Sequence, residues 1–436
     1  MDPPAAWWEA ELPAPERRTA LPHAKLKLPS AQETWNIVKH MVSSNSMDVP
    51  IPVHMCMPID ELQRRAEEME YSELLDKAAE EAKGSTERLL LVAAFALSAF
   101  QSARPMRASL PIMGETVEVV LPEKKMRFLT ETVYLNQKSN KVINAWVAEG
   151  ERWMLEGEDE PALKFRGTSL ELHMNWLDRL TFFDGDAYSW KKMTTGAAVI
   201  HVVGKSSITF KGTVVVEQVG NGLSAHLAFK EGGMFCSMAS RKPSKHEVLG
   251  HIEKDGVRLQ RPVIRGYWDA ELVAELADGS QKTLFRINPP PAEPDRVRPV
   301  THLKAAFVQR RCNLPLFSVR LNEMTPGLEA KLPPTDVRRR WDLRALERGD
   351  YAQAAAGKEI LERRWQQRER EHCERTGDTS LPPRWFQLRE GTDLTRPQGT
   401  TPRFRYTGGY WEARAARKWQ GIEHIFAPED ASRYLL

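Results

Sequence analysis

The sequence has too few cysteines, too far apart, for a disulfide or metal framework. Four occur among 436 residues, at Cys56, Cys236, Cys312 and Cys373, and no two of them form a CxxC pair or a zinc-finger spacing. Disulfide-rich secreted folds and structural zinc modules are therefore excluded. We expect reduced thiols in a cytosolic compartment, and neither a metal nor another cofactor.

Long apolar runs and a secretory leader are also missing. The most apolar stretch, LLLVAAFALSAF at residues 89–100, is much shorter than the ~20 residues that a membrane-spanning helix needs, and we expect a buried helix there. The N-terminal residues MDPPAAWWEAELPAPERR lack the basic start and apolar middle of a signal peptide. These features predict a cytosolic protein that contacts organelle membranes only peripherally.

Neither sign of charge is in large excess. The chain has 62 basic and 59 acidic side chains, which leaves a net charge of +3. Nucleic-acid-binding domains usually concentrate a basic surplus on one face, so we expect no nucleic acid partner. Hydrophobic residues make up 41% of the chain, which is enough to form a sizeable core.

The pattern of residues changes along the chain, beginning with a proline-rich segment and a helical one. Residues 1–30 are predicted to be a lid or a flexible segment, with Trp7 and Trp8 as candidate membrane contacts because tryptophan favours the membrane interface. A disordered tail is the alternative for this segment. Residues 31–110 have the apolar spacing of helices, and Ser85 is placed to cap the helix that follows it.

The next two segments differ again. Residues 111–325 consist of short β-rich runs separated by Asp-Gly and Asn-Gly turns, which predicts a sandwich or a barrel. Residues 326–436 return to a charged, helical pattern with loops and aromatic clusters. The strands that we expect are 116–121, 199–203, 207–210, 213–216, 223–229 and 257–259, and the C-terminal helices are 342–349 and 351–374.

No pattern typical of an enzyme is present. The sequence contains no GxSxG elbow and no glycine-rich phosphate loop. His246 and His251 are five residues apart, but without an HExxH or CxxC motif nearby this spacing does not predict a metal site. Histidines in strand-like runs, such as His226, are expected to be packed or surface residues, and the acids at 158–160 are expected to be solvated in a loop.

Seven short segments follow one another in an order that is typical of one protein family. They are PIDELQRRAEEMEYSELLDKAA at 58–79, PIMGET at 111–116, FRGTS at 165–169, MTT and GK at 193–205, FSVRLNE at 317–323, LPPTD and the charged residues after it at 332–349, and YTGGYWE at 406–412. Together they resemble the lipid-binding domain of the oxysterol-binding-protein-related family over about residues 35 to 426.

The resemblance implies a mainly β fold with flanking helices. The expected architecture is a large, nearly closed antiparallel β-barrel that holds one lipid, with N-terminal helices and a lid before it and a C-terminal helical subdomain after it. Family members carry sterols or phospholipids, and many exchange them for phosphatidylinositol 4-phosphate. We therefore expect binding and transfer of a sterol or phospholipid between membranes. A lipid sensor or scaffold that does not transport is the alternative, and the resemblance leaves protein partners open.

The family's phosphoinositide signature, E-Q-V-S-H-H-P-P, is degenerate in this sequence. The corresponding residues are ETVYLNQK at 131–138. Glu131 and Val133 are kept, whereas Leu135 and Asn136 stand in place of the two histidines. Leucine has no side-chain hydrogen bond to donate, and asparagine brings no charge.

The resemblance carries over two further headgroup contributors, both altered. In the family's helical Lys, Glu and Arg positions this sequence has Lys358, Glu362 and Gln366, and Arg107 with ASL after it stands where the family has K-P-F-N. A hydrogen bond to a charged group contributes roughly 1.5–3 kcal/mol, so losing several predicts that phosphatidylinositol 4-phosphate recognition is weakened or lost. The opposing interpretation is that Arg107 and the nearby lysines 138 and 141 rebuild a phosphate site.

Overall fold

The chain forms a large antiparallel sheet with helices before and after it. In this computed structural model the described residues are 7–10, 17–23, 32–33, 36, 39, 52–104, 107–136, 141–165, 169–201, 207–230, 246–287, 314–378, 380–395 and 399–426. They contain seven α-helices and 19 strands. The fold is therefore mainly β with flanking helices, as the sequence predicts.

Three helices precede the large sheet. They are α1 (Glu61–Ala66), α2 (Glu73–Glu80) and α3 (Thr86–Ser98). Helix α1 begins with a capping box, because the Asp60 carboxylate accepts a hydrogen bond from the Gln63 backbone N–H at 2.7 Å and the Gln63 side chain bonds to the Asp60 backbone in return. The cap predicted at Ser85 is confirmed, since its Oγ accepts a bond from the Arg88 backbone N–H at 3.1 Å. Helix α3 is buried on nearly every side.

The strands form one large and two small sheets. β1 (Cys56–Asp60) and β2 (Arg107–Ser109) pair in parallel, and β18 (Phe386–Leu388) and β19 (Phe404–Tyr406) form a short antiparallel pair. The large sheet contains β3 (Thr116–Leu121), β4 (Met126–Asn136), β5 (Lys141–Glu149), β6 (Trp153–Asp159), β7 (Ala162–Phe165), β8 (Ser169–His173), β9 (Trp176–Phe182), β10 (Ala187–Lys191), β11 (Thr195–His201), β12 (Ser207–Gln218), β13 (Leu223–Phe229), β14 (Glu247–Lys254), β15 (Val257–Tyr267), β16 (Glu271–Glu275) and β17 (Gln281–Arg286).

The large sheet curves around the N-terminal helices but does not close. Its main path runs β17-β16-β15-β14-β13-β12-β10-β9-β6-β5-β4-β3, and β11 extends from β12 to β8 and β7. Helix α1 contacts β3 and β4, while α3 contacts β12, β13 and β17. Among the described strands, β3 and β17 are not hydrogen-bonded to each other. The expected nearly closed barrel is therefore a curved sheet with a seam between these two edge strands.

The two faces of the sheet pack against different parts of the chain. On β5, Trp146 and Ala148 lie in the hydrophobic core that includes α1, α2 and α3. The alternate residues Ala145 and Val147 lie in a second core with aromatic residues from beyond residue 384. This alternation follows from the two-residue period of a strand. We call the face toward α1–α3 the inner face and the opposite one the outer face.

The C-terminal part is tied to the edge strand β3 by buried polar contacts. Its helices are α4 (Leu316–Leu321), α5 (Trp341–Arg348), α6 (Tyr351–Thr376) and α7 (Tyr410–Ala416). The Thr116 and Thr335 hydroxyls are 2.9 Å apart, and the Tyr410 hydroxyl donates to Glu118 Oε2 at 2.8 Å. All four side chains belong to buried or nearly buried residues, so these bonds are shielded from competing water.

The strand predictions are confirmed in part. β3 and β13 coincide with the predicted 116–121 and 223–229, whereas the predicted 207–210 and 213–216 form the single strand β12. The strands between residues 126 and 191 lie in the β-rich region predicted at 111–325, but most of them were not predicted individually. Apolar residues in these strands alternate with acidic and basic ones. In the sequence this composition is typical of a loop, and only the structure shows that the charged residues have buried partners.

The acidic run at 158–160 shows why these strands were missed. The prediction of a solvated loop is wrong for Glu158 and Asp159, because both end β6 and have no exposed surface. Glu158 Oε1 is 2.7 Å from Arg403 Nε, and Asp159 Oδ2 is 2.6 Å from Arg65 Nε. A buried carboxylate needs such a partner, since burying it alone is costly.

No helix in the described part of the chain is long and apolar enough to cross a membrane.

Candidate functional site

A small cavity lies between the N-terminal helices and the inner face of the sheet. Its volume is about 20 Å³, which is enough for about one water molecule. We call it the interior cavity, and its lining residues are Arg64, Arg65, Glu68, Ala99, Phe100, Ser102, Ala103, Leu172, Met174, Trp176, Lys192, Ala198, Ile208 and Phe210. Most of the wall is apolar, and the charged residues come from α1, the turn after it and the end of β10.

The charged side of the interior cavity is a buried ion-pair network. Lys192 Nζ is 2.6 Å from Glu68 Oε1, and Arg65 Nη1 is 3.1 Å from the same oxygen. Arg65 also pairs with Asp159 at 2.6 Å. The Arg65 guanidinium stacks 3.5 Å above the Trp176 ring centroid, and Lys192 Nζ is 4.1 Å from that ring. Each cation is thus held by a carboxylate and an aromatic face.

Burial changes the protonation of this network. Burial lowers the pKa of Lys192 to about 8, although the Glu68 carboxylate opposes the change. Burial raises the pKa of Asp178 to about 8, with repulsion from Glu68 as the second cause. Asp159 has its pKa raised to about 6 by burial, against the effect of Arg65. The raised pKa of Asp178 favours its protonated form, which can donate a hydrogen bond.

Among the cations that line the interior cavity, Arg64 has a longer ion pair than Lys192. Its Nη1 is 3.8 Å from Glu61 Oε1, against 2.6 Å for the pair between Lys192 and Glu68. Burial lowers the pKa of the Arg64 guanidinium from its ordinary value. A guanidinium in this position can donate to a polar group that enters the cavity.

A larger cavity lies at the seam between β3 and β17. Its volume is about 1390 Å³, and Val119, Leu284 and Phe285 form part of its apolar wall. Its charged wall is largely paired: Lys124 Nζ is 2.8 Å from Glu73, for example. This seam cavity is large enough for a lipid, but it is a half-open groove between edge strands and does not shield a lipid from water on all sides.

The structure brings together the end of β4 and helix α6, which carry the predicted headgroup positions. Leu135 packs on a cluster that includes Leu361 and Trp365 of α6, with Ile112 and Met113 from the segment before β3. We call this the β4–α6 cluster. The position at which the family places its first signature histidine is therefore part of an apolar contact.

The polar headgroup candidates surround this cluster without converging on one point. Lys358 Nζ is 3.7 Å from Glu362 Oε1, and both side chains are partly exposed. Gln366 is half-buried on the same helix. Asn136 donates from Nδ2 to the Tyr134 hydroxyl at 3.3 Å. These pairs link neighbours within one element and form no common cationic pocket among the described residues.

The two conserved signature residues have structural partners. Glu131 is fully buried, and its oxygens accept hydrogen bonds from the backbone N–H groups of Arg384 at 2.7 Å and Trp385 at 2.8 Å. Val133 is buried in the outer-face core with Trp385 and Tyr410. Burial raises the pKa of Glu131 to about 7, while the backbone bonds act in the opposite direction.

The three proposed substitute cations do not form a phosphate site among the described residues. Lys141 Nζ is 2.8 Å from Glu160 Oε1 and donates to the Leu394 carbonyl at 2.6 Å, so it is already engaged. Lys138 and the side chain of Arg107 lie outside the described part of the structure. The backbone of Arg107 pairs with Cys56 in the small parallel sheet.

Trp7 and Trp8 lie at the opposite end of β4 from Leu135. Their rings meet edge to face, and Trp7 lies over the Arg127 guanidinium at 5.2 Å while Trp8 lies over Lys125 at 5.3 Å. Eight residues separate positions 127 and 135, which corresponds to roughly 25 Å of strand. The lid and membrane roles of the two tryptophans stay predictions.

Sequence reasoning missed the interior network entirely. Arg64, Arg65 and Glu68 read as the solvated face of an amphipathic helix, because charged residues at helical spacing usually face water. The segment has few apolar positions, and its burial on most sides becomes visible only in the structure. The partners Asp159 and Lys192 are too distant in the sequence for spacing to reveal.

The large sheet curves around the N-terminal helices, and the interior cavity lies between the sheet and these helices. Comparison with known proteins gives the family. The family model described as Oxysterol-binding protein matches residues 33–415, so the chain belongs to that family. The family's fold is a lipid-binding domain and not an enzyme, in agreement with the prediction from the sequence.

Individual proteins show the same similarity. Oxysterol-binding protein-related protein 2B of Arabidopsis thaliana is 36% identical over 416 residues, which cover 94% of this chain and 54% of the relative. The solved Osh1 ORD domain in complex with cholesterol is 26% identical, with a TM-score of 0.75 and coverage of 93% of this chain and 94% of that one. The Osh3 ORD of Saccharomyces cerevisiae in complex with PI(4)P has a TM-score of 0.74 at 23% identity, over 94% of this chain and 99% of that one, which shows the fold alone. The chain spans about half the length of the first curated relatives that it matches.

Proposed function

We propose that the chain binds one lipid between its N-terminal helices and the inner face of its sheet, and carries that lipid between membranes. The observation that supports this proposal is the interior cavity, which has an apolar wall and one polar side. Such a wall recovers about 0.8 kcal/mol for each methylene removed from water. The polar side gives an orientation to a ligand that has one polar end.

A sterol fits a cavity with an apolar wall and one polar side better than a phosphoinositide does. A sterol hydroxyl is neutral and can accept from Arg64 and donate to Glu68 or a neighbouring carboxylate, while the rings lie on Phe100, Ile208 and Phe210. The Osh1 domain, which is 26% identical, was solved with cholesterol and with ergosterol. A phospholipid is the second candidate, because acyl chains need similar apolar walls.

The ligand must enlarge the cavity. Small-molecule sites usually measure ~300–1,000 Å³, whereas the interior cavity measures about 20 Å³. Lipid entry therefore requires the described walls to move apart or the site to include further residues of the chain. The helices and the open seam allow such movement, since β3 and β17 are not held to each other by hydrogen bonds in the described strands.

Recognition of phosphatidylinositol 4-phosphate is proposed to be weak. Leu135 packs against an apolar cluster that includes residues of α6, at the point where the resemblance places a cationic headgroup contact. Filling this position with apolar side chains removes donors and leaves a multiply charged phosphate without compensation. Lys358 and Glu362 pair with each other, so little net positive charge remains there.

Location follows from this function as part of the proposal. A carrier of this kind works in the cytosol and touches organelle membranes peripherally, with transient contact during loading and release. The tryptophans at positions 7 and 8 are the candidates for that contact, because tryptophan partitions into the interface.

A volume-filling substitution tests the site. Ala198 lies in the interior wall, so Ala198→Phe should occupy the space that a lipid needs and reduce sterol binding by at least about tenfold. The matched control is Ala228→Phe, because Ala228 is exposed on the outer face of β13. Fluorescent sterol binding to both variants, with circular dichroism to check folding, gives the comparison. Equal sterol binding by the two variants would show that the ligand lies elsewhere, with the seam cavity as the first place to look.

A further inference from the structure

Two histidines and one glutamate form a cluster on the outer face of β13 and β14. His226 pairs directly across the strands with His251, and Glu253 lies two residues further along β14 on the same face. The neighbours of His226 along β13, Ala225 and Leu227, point the other way and are buried. All three cluster residues are partly exposed, so ions in solution can reach them.

The nitrogen and oxygen atoms of the cluster converge. His251 Nε2 is 2.9 Å from Glu253 Oε1, and His226 Nε2 is 3.4 Å from Glu253 Oε2. One ligand atom from each residue lies within 4.8 Å of the other two. The two imidazole rings are stacked with centroids 5.1 Å apart and planes 10° from parallel. A small tilt of each ring would direct both nitrogens to one point.

We propose that His226, His251 and Glu253 bind a divalent transition metal ion, with zinc as the best match. Two imidazole nitrogens and one carboxylate oxygen are a common zinc ligand set, with metal–ligand distances of about 2.0–2.2 Å. Adjacent ligand atoms of a tetrahedral site are then roughly 3.4 Å apart, close to the separations seen here. Magnesium and calcium prefer sites made of oxygen alone, so the two histidines select against them.

Metal binding would require His226 to give up a contact that it makes in this structure. The Ser224 hydroxyl is 3.0 Å from His226 Nε2 and would have to turn to the solvent when a metal binds.

A metal at this position would connect two strands that are already neighbours. Its three ligands come from two adjacent strands, so binding favours the folded sheet over the unfolded chain. A fourth coordination position faces the solvent and can be filled by water or by a ligand from another molecule. The sequence could not reveal this site, because His226 and His251 come together through strand pairing and not through spacing.

Zinc titration of the purified chain, without a polyhistidine tag, tests the proposal. Isothermal titration calorimetry is expected to show one zinc ion per chain, and thermal unfolding is expected to shift upward with zinc. His226→Gln and His251→Gln should each weaken binding by about tenfold or more. The matched control is His173→Gln, because His173 also lies on a strand and near one glutamate, Glu171, but its cross-strand partner on β7 is Ala162.

Two results would overturn the metal site. One is no stoichiometric zinc binding by the wild-type chain, and the other is zinc binding that persists unchanged in both His226 and His251 variants. If either variant does not fold without metal, Glu253→Gln replaces it, because that residue is partly exposed and its loss removes one ligand. The proposal is independent of lipid binding, so sterol binding by the same variants should remain as in the wild type.

Discussion

Individual buried acids join segments of this chain that are distant in the sequence. Glu131, a residue of the family's phosphoinositide signature, bonds two backbone N–H groups of the segment that follows α6. It therefore holds β4 to the C-terminal part. Glu131 and Val133 therefore have contacts that support the fold, and we propose that positions 135 and 136 bear on headgroup recognition.

The raised pKa of Glu131 predicts a pH dependence of stability. The folded chain holds the Glu131 proton more tightly than the unfolded chain does, because the pKa rises from 4.5 to about 7 on burial. Its contribution to stability is therefore full below pH 4.5 and is lost as the pH rises to about 7. The expected loss is on the order of 3 kcal/mol.

Replacing this acid should flatten that dependence. Glu131→Gln has no proton to lose, so the difference in unfolding free energy between about pH 5 and about pH 8 should shrink relative to the wild type. Urea unfolding at both pH values measures the difference for each protein. An identical pH dependence in the two proteins would mean that Glu131 titrates normally in the folded state.

At the scale of elements, the contact between the end of β4 and α6 is the basis for predicting weak recognition of phosphatidylinositol 4-phosphate. Leu135 and Trp365 share one apolar cluster, and Gln366 stands next to it on α6. Restoring the family's residues by Leu135→His, Asn136→His and Gln366→Arg should create charge-assisted donors at this place. Each such bond is worth roughly 1.5–3 kcal/mol, so extraction of phosphatidylinositol 4-phosphate from vesicles should rise by about tenfold or more.

A packing control separates charge from shape. Leu135→Gln combined with Asn136→Gln disturbs the same cluster without adding a cation, and it should extract no more phosphoinositide than the wild type. If the restored variant also gains nothing while remaining folded, then the headgroup site of this chain does not lie between β4 and α6.

The element order was readable from the sequence, but the partners that join the elements were not. β3, β13, α3 and α6 have clear periodicity or turn chemistry at their ends, and they fall close to where the sequence predicts them. The motif residues Glu115 and Tyr410 have partners that are distant in the sequence. Tyr410 donates to Glu118, and Arg340 pairs with Glu115 at 3.0 Å. Motifs identified the family, while their physical reason became visible only when distant segments met.

The candidate site was less predictable than the fold. The headgroup positions stay predictions from the family's motifs, although the structure does bring the end of β4 and α6 together. The interior network of Arg65, Glu68 and Lys192 was missed, since three-dimensional pairing turns an apparently solvated helix face into a buried one. Charged residues in a helix or strand therefore do not show by themselves that the segment is exposed to solvent.

At the scale of the whole molecule, two spaces compete for the lipid. The seam cavity is larger, whereas the interior cavity lies between the helices and the sheet and combines an apolar wall with a polar side. Shielding matters more than present volume, because a lipid in transit must be removed from water on all sides. A carrier and a non-transporting sensor would share this interior, and they differ only in whether a bound lipid is delivered to a second membrane.

The most direct test is to ask which lipid the purified chain removes from a mixed membrane. Vesicles containing equal amounts of a sterol and phosphatidylinositol 4-phosphate are incubated with the protein, and native mass spectrometry identifies what is bound. The account predicts one sterol per chain, little or no phosphoinositide, and loss of the sterol complex in Ala198→Phe. Phosphoinositide bound as well as the sterol, or no lipid bound by the wild-type chain, would contradict it.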